Sequence, residues 1–201
     1  MKKIIAFAGS NSSNSINYEL VKYTVSLIDD HDIQLLNMAN MPFPMFSEDD
    51  EREFGYKNSL IELKEDILES DGVIISVNEH NSNVSSYFKN LIDWLSRVER
   101  KFLLDKPVFL MGTSPGTRGA ISAITNTEQT LPRFGAKIDN VFSLPLFSEN
   151  FSIKKGVIIN DELKQKHLEH LNNFLSKLPY KKLRSRYMFN YIFSYFVISK
   201  L

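Results

Sequence analysis

The stretch Gly72-Val-Ile-Ile-Ser-Val-Asn-Glu-His-Asn-Ser-Asn-Val-Ser-Ser-Tyr-Phe-Lys-Asn-Leu-Ile-Asp-Trp-Leu-Ser-Arg97 passes through three regimes. Gly72 to Val77 reads as a strand covered on both faces. Asn78 to Val84 is a turn with almost no apolar side chains. From Ser85 to Val98, Phe88, Leu91, Ile92 and Leu95 recur at helical spacing, with Trp94 on the same stripe as a packing residue. In an α/β protein, a polar turn at the carboxyl end of a strand is where ligands bind.

Working outward, the same unit repeats. Lys3 to Ala8 is a continuous apolar run, followed by Gly9-Ser-Asn-Ser-Ser-Asn-Ser15 and a helix over Ile16 to Ile28. That helix carries Ile16, Leu20, Thr24 and Leu27 on one stripe, with Asn14 or Ser15 as its cap. Ile33 to Leu36 is a short strand. Met41-Pro-Phe-Pro-Met-Phe46 forms no regular element, because its prolines break helix and ladder alike. Tyr56 to Glu69 is a helix with Leu60, Leu63 and Ile67 inward. Pro107 to Met111 is a strand followed by the turn Gly112-Thr-Ser-Pro-Gly-Thr-Arg-Gly119. A helix from about Ala120 to Pro132 separates it from a last strand, Ala136 to Phe142. Five strands alternating with helices imply a parallel sheet with right-handed crossovers. The expected fold is flavodoxin-like, doubly wound, with strand order 2-1-3-4-5, so the turns after the first and third strands face one crevice.

Composition narrows the function classes. The chain has 201 residues, 43% hydrophobic and 24% charged, as in an ordinary soluble domain. Twenty-four basic and 24 acidic residues cancel, so no global field favours nucleic acid. The absence of cysteine rules out disulfides, thiolate metal sites and a cysteine nucleophile. The opening Met-Lys-Lys-Ile-Ile-Ala-Phe-Ala-Gly mimics a signal peptide, but its apolar run is short and reads as a first strand. A cytoplasmic location is expected.

Residues 9 to 17 hold one glycine, four serines and three asparagines ahead of a helix. Small residues let backbone amides approach an anion, and the helix start adds free N–H groups and a favourable dipole. Neither a dinucleotide fingerprint nor a P-loop lysine is present, so a single phosphate monoester fits best. An ordinary polar turn with a good helix cap accounts for the same residues. Asn78 to Val84 offers groups that can hydrogen-bond the edge of a planar heterocycle; Glu79 and His80 also suit acid–base chemistry. His31, His167 and His170 lie on other elements without ligand spacing to His80, so no metal is expected. No Gly-x-Ser-x-Gly or other signature specifies a nucleophile.

Taken in order, Ala8-Gly-Ser-Asn-Ser-Ser-Asn-Ser-Ile-Asn17, Glu79-His-Asn-Ser82, Phe88-Lys-Asn-Leu-Ile-Asp-Trp-Leu-Ser-Arg97, Lys106-Pro-Val108 and Thr113-Ser-Pro-Gly-Thr-Arg-Gly119 resemble the NAD(P)H-dependent FMN reductases. This family of flavodoxin-like oxidoreductases includes quinone, azo-dye and chromate reductases. The resemblance covers roughly residues 1 to 150. It implies FMN as cofactor and NADPH or NADH as donor. Ser10, Ser15, Ile16 and Asn17 would then form the phosphate loop, with Asn11 and Ser12 beside it. Asn78, Glu79, His80 and Asn81 would line the isoalloxazine, where the family pattern reads Pro-Glu-Tyr-Asn. Ser114, Pro115, Gly116, Arg118 and Gly119 would form the third wall. The chemistry implied is the cofactor's own, hydride passing from nicotinamide to flavin N5 and then to a small electron acceptor, with no side chain as obligate acid or base. A homodimer or homotetramer is implied as well.

Two other readings stay open from the sequence. A flavodoxin-type electron carrier would bind FMN without oxidising nicotinamides, but such carriers are typically very acidic, unlike this chain. A flavin-free binding protein on the same fold is the third, since fold does not fix function. The expected division is a domain over residues 1–178, whose last helix runs from Asp161 to Leu178 with Leu168, Leu171, Leu175 and Leu178 at core spacing, and a tail over 179–201. In the tail, Lys181, Lys182, Arg184 and Arg186 precede an aromatic run to Ile198. That run is too short for a membrane span, which needs about 20 residues. An interfacial segment is one reading of it, and a subunit contact or a loosely held chain end accounts for it as well.

Overall fold

The computed structural model describes residues 1–179; the basic and aromatic run from Lys181 to Ile198 lies outside the described residues. In chain order the elements are β1 (Lys3–Ala8), α1 (Ile16–Val25), β2 (Asp32–Leu36), a 3-10 turn (Met38–Asn40), α2 (Glu48–Phe54), α3 (Asn58–Glu69), β3 (Gly72–Val77), β4 (Glu79–His80), β5 (Asn83–Val84) and α4 (Ser86–Val98). There follow β6 (Lys106–Thr113), α5 (Ile121–Thr130), a second 3-10 turn (Leu131–Phe134), β7 (Ala136–Leu144), α6 (Phe147–Asn150), β8 (Phe151–Ser152), β9 (Val157–Ile158) and α7 (Asp161–Ser176).

The main sheet is parallel, in the order β2-β1-β3-β6-β7. This is the expected doubly wound topology, with its switch point between β1 and β3. Side chains alternate along each strand and divide the interior into two layers. Ile5, Phe7, Val73, Ile75, Val77, Val108 and Leu110 pack under α3, α4 and α5. Ile4, Ala6, Ala8, Ile74, Phe109 and Met111 pack under α1 and α7. Where β6 meets β7, one extra residue shifts the register, since Val108 faces Ile138 and Phe109 faces Asn140.

Some expectations shift in detail. Helix α1 stops at Val25, and Leu27 is 38% exposed, so Val21 and Tyr23 join Leu20 and Thr24 in the buried face. On α7 the inward residues are His167, Leu171 and Phe174, whereas Leu168 is 38% exposed. The Phe174 ring packs on Phe109 of β6 and the His167 imidazole on Phe109 and on Phe142 of β7, while Leu171 and Leu178 of the expected stripe are buried beside them.

The proline-broken segment at 41–46 is held from outside itself. Tyr87, Asn90 and Trp94 share one face of α4. Tyr87 Oη donates to the Met41 carbonyl at 2.8 Å, while Asn90 Nδ2 and Trp94 Nε1 donate to the Pro44 carbonyl at 2.8 and 2.9 Å. Asn90 Oδ1 accepts from the Phe46 amide at 2.7 Å. A hollow of about 220 Å³ opens beside this segment, lined by Phe43, Pro44, Phe54, Leu60 and Trp94 among others. Helix α2, which has no apolar stripe to announce it, rests on a Ser47 cap and four acidic residues in its first turn.

Candidate functional site

The carboxyl ends of β1, β3 and β6 carry the three polar turns, and hydrogen bonds between the turns bring them to one place. The Gly9 amide donates to the Ser76 carbonyl at 2.8 Å, which continues the β1–β3 ladder by one rung. Ser85 Oγ caps α4 by accepting from the Phe88 amide and donates to the Gly9 carbonyl at 2.9 Å. Gly9 must lack a side chain, because a Cβ there would lie 2.6 Å from the Phe88 ring.

The first turn presents donors. Ser15 caps α1, its Oγ accepting from the Tyr18 amide at 3.2 Å. The amides of Ile16 and Asn17, in the first turn of the helix, have no hydrogen-bond partner among the described residues. Ser10 Oγ accepts from the Ser12 amide and Ser12 Oγ from the Asn14 amide, each at 3.3 Å, so their hydroxyl protons remain to be donated. Ser10 and Ser15 are buried, and Asn11 and Ser12 are exposed. Asn17 is only 2% exposed and turns its amide inward. Its Oδ1 accepts from Ser76 Oγ and the Thr113 amide, and its Nδ2 donates to the Thr113 carbonyl.

The second turn is a hairpin. β4 and β5 pair antiparallel, and the two residues between them, Asn81 and Ser82, have φ of 52° and 60°. Positive φ at both central positions is the type I′ geometry that matches the twist of a tight hairpin. Glu79 is half-buried and turned towards α5: its Oε2 accepts from the amides of Ser122 and Ala123 at 2.8 and 3.2 Å. Helix α5 needs this carboxylate, because its own cap residue, Ala120, offers no side-chain acceptor. His80 is exposed, with Nε2 3.3 Å from Asn78 Nδ2. Asn78 Oδ1 is buried without a hydrogen-bond partner among the described residues.

The third turn is held by backbone bonds, one of its own and two from the chain that follows β7. The Gly116 carbonyl accepts from the amides of Gly119 and Leu146, and the Ser114 carbonyl from that of Phe147. Ser114 Oγ accepts from the Ala120 amide at 3.2 Å. Gly119 has φ of 55°, and a Cβ would lie 2.3 Å from Ser143 Oγ. Pro115, Gly116 and Arg118 remain exposed at the rim, with Arg118 Nη2 donating to Ser122 Oγ at 2.8 Å.

Sequence reading did not single out Ser76, and it takes Ser85 only as a helix-capping residue and Thr113 only as part of the third turn; the structure shows all three tying the turns together. Ser76, a hydroxyl in an otherwise apolar strand, was the one local signal.

The sequence profile of the NADPH-dependent FMN reductases matches residues 2–145. The chain belongs to this family. Its chemistry is therefore that of an NAD(P)H-dependent flavin oxidoreductase, with FMN as cofactor. The chain is 29% identical over 139 residues to the quinone reductase of Escherichia coli K12, covering 69% of this chain and 73% of that protein. An NAD(P)H-dependent FMN reductase of Pseudomonas aeruginosa is 25% identical over 181 residues, covering 88% of this chain and 96% of the relative. The fold matches that of FerB, a flavoenzyme NAD(P)H:acceptor oxidoreductase of Paracoccus denitrificans, with a TM-score of 0.73 at 23% identity, covering 89% of this chain and 97% of that one. The residues at the three turns suit FMN. Free amides and hydroxyl protons at the start of α1 match a phosphate, and Asn78 Oδ1 is an acceptor still without a donor.

Proposed function

We propose that the crevice between the three turns holds FMN, and that the protein passes reducing equivalents from NADPH or NADH to a small acceptor such as a quinone, free flavin or azo compound. The observation that carries this reading is the convergence of unpaired donors at the start of α1 with the hairpin and the Arg118 turn, at the switch point of the sheet. In it, the Ile16 and Asn17 amides and the Ser10, Ser12 and Ser15 hydroxyls hold the phosphate. The Asn78–Asn81 hairpin and the turn from Ser114 to Gly119 flank the ring system. Bound FMN supplies the two-electron relay between donor and acceptor. The chain's own contribution is binding, orientation and exclusion of water, and no side chain is assigned a proton-transfer role.

The protein is further read as a cytoplasmic homo-oligomer. Phe54, 70% exposed, lines the hollow beside Trp94, and Met45, next in sequence to its Pro44 wall, is 69% exposed; a second copy would cover this apolar face. Among the described residues no helix is long and apolar enough to cross a membrane.

The deciding experiment is a visible spectrum of the protein with FMN, followed by anaerobic NADH or NADPH. Flavin bands that shift on binding and then bleach, recovering when a quinone is added, are the expected result. Bound flavin that stays oxidised would instead indicate an electron carrier. No bound flavin would overturn the reading.

A further inference from the structure

The loops at the carboxyl edge of a doubly wound sheet come from distant parts of the chain, and a site made from them is only as well formed as their mutual spacing. One side chain bridges three of the elements that carry them. The β3–β6 ladder ends at the pair Val77–Gly112, so the next residue of β6, Thr113, has an unfilled rung on that edge. Asn17 fills it. Its Oδ1 accepts from the Thr113 amide at 3.0 Å and its Nδ2 donates to the Thr113 carbonyl at 3.1 Å, as a backbone amide of a longer β3 would. The same Oδ1 accepts from Ser76 Oγ at 2.8 Å, which adds β3 itself to the junction. The side chain spans 59 residues of sequence to Ser76 and 96 to Thr113, and it is 2% exposed.

We propose that Asn17 is a positioning residue of the flavin crevice: its side chain fixes the start of α1 against the ends of β3 and β6 and does not itself contact FMN. The inference rests on the FMN reading given above. Asn17 lies in the first turn of α1, so pinning its side chain inward also fixes where the free amides of Ile16 and Asn17 point relative to the other two turns. A site ordered before binding does not lose affinity to ordering its loops. An amide is required because donor and acceptor must leave one planar group side by side. Aspartate lacks the donor and sets an oxygen against the Thr113 carbonyl, and leucine lacks both functions.

The test compares FMN affinity with stability in the full chain. Asn17→Ala is measured beside Leu63→Ala, a core variant on α3 outside the three turns, at a temperature where circular dichroism shows both folded. The expected result is a dissociation constant for FMN raised about tenfold in Asn17→Ala and unchanged in Leu63→Ala, although both melt earlier. The flavin that remains bound to Asn17→Ala should absorb more like free FMN. Ser76→Ala, which removes one of the three bonds, should fall between wild type and Asn17→Ala, and it serves if Asn17→Ala fails to fold. Wild-type affinity in Asn17→Ala, or equal loss in Leu63→Ala, overturns the inference and leaves the FMN reading intact. A wild-type protein that does not bind FMN sinks both.

Discussion

The two layers that flank the sheet solve the problem of buried polar groups in opposite ways. Under α3, α4 and α5, the buried polar side chains Tyr87 and Asn90 are fully partnered with backbone of the segment at 41–46. Burial raises the Tyr87 phenol well above its ordinary pKa, so it stays neutral. Under α1 and α7, the His167 imidazole is fully buried among the rings of Tyr23, Phe109 and Phe142. The Thr24 hydroxyl donates to the Leu20 carbonyl at 2.8 Å, which leaves its oxygen to accept from His167 Nε2 at 2.9 Å. Nδ1 then carries a lone pair with no partner among the described residues. Polar groups anchor a loop in one layer and create a titratable weak point in the other.

Four measurements sharpen or break this contrast. The largest effect belongs to the layer under α3, α4 and α5. Leu63→Ala should cost about 2–5 kcal/mol by denaturant unfolding, at any pH between 5 and 8, through the cavity it leaves. Next comes acid. Burial, with a smaller push from His170, lowers the His167 pKa from 6.5 to about 3. The unfolded chain therefore takes up a proton near pH 6.5 that the folded chain refuses, and stability falls as the pH drops from 6.5 towards 3. The slope should approach about 1.4 kcal/mol per pH unit, or about 2 kcal/mol lost at pH 5. Burial lowers His170 as well, and it adds in the same direction. His167→Leu should flatten the acid limb of the stability profile; an unchanged limb would place the acid sensitivity elsewhere.

Smaller effects sit at the rim of the layer under α3, α4 and α5. Glu79→Ala leaves the Ser122 and Ala123 amides uncapped and should cost about 1 kcal/mol, seen as a lower melting temperature. Phe54→Glu, on the exposed flank of the hollow, should change stability by less than about 0.5 kcal/mol. Its expected signature is a later elution volume on gel filtration, and an unchanged volume would remove that face from any subunit contact.

How much of this was legible in the sequence follows from the range of each signal. Gly72–Val77 could be read to the residue, because a strand buried on both faces needs an unbroken apolar run and the polar turn after it is abrupt. Strand order followed from the alternation of elements. The hairpin at 79–84 was hidden because Asn81 and Ser82 adopt positive φ without a glycine to mark it. Leu168 misled because a helical stripe shows which residues share a face and not which face the sheet presents. The role of the Asn17 side chain could not be read locally at all, since its partners lie in other strands.

Trp94, the single tryptophan of the chain, is buried with its indole nitrogen on the Pro44 carbonyl. Its emission therefore reports on one place, the loop at 41–46, and not on an average over the molecule. Because flavins absorb where tryptophan emits, loading of the crevice should dim that emission by energy transfer. The protein thus carries its own optical gauge of cofactor occupancy, and no label need be attached to follow flavin binding or exchange in real time.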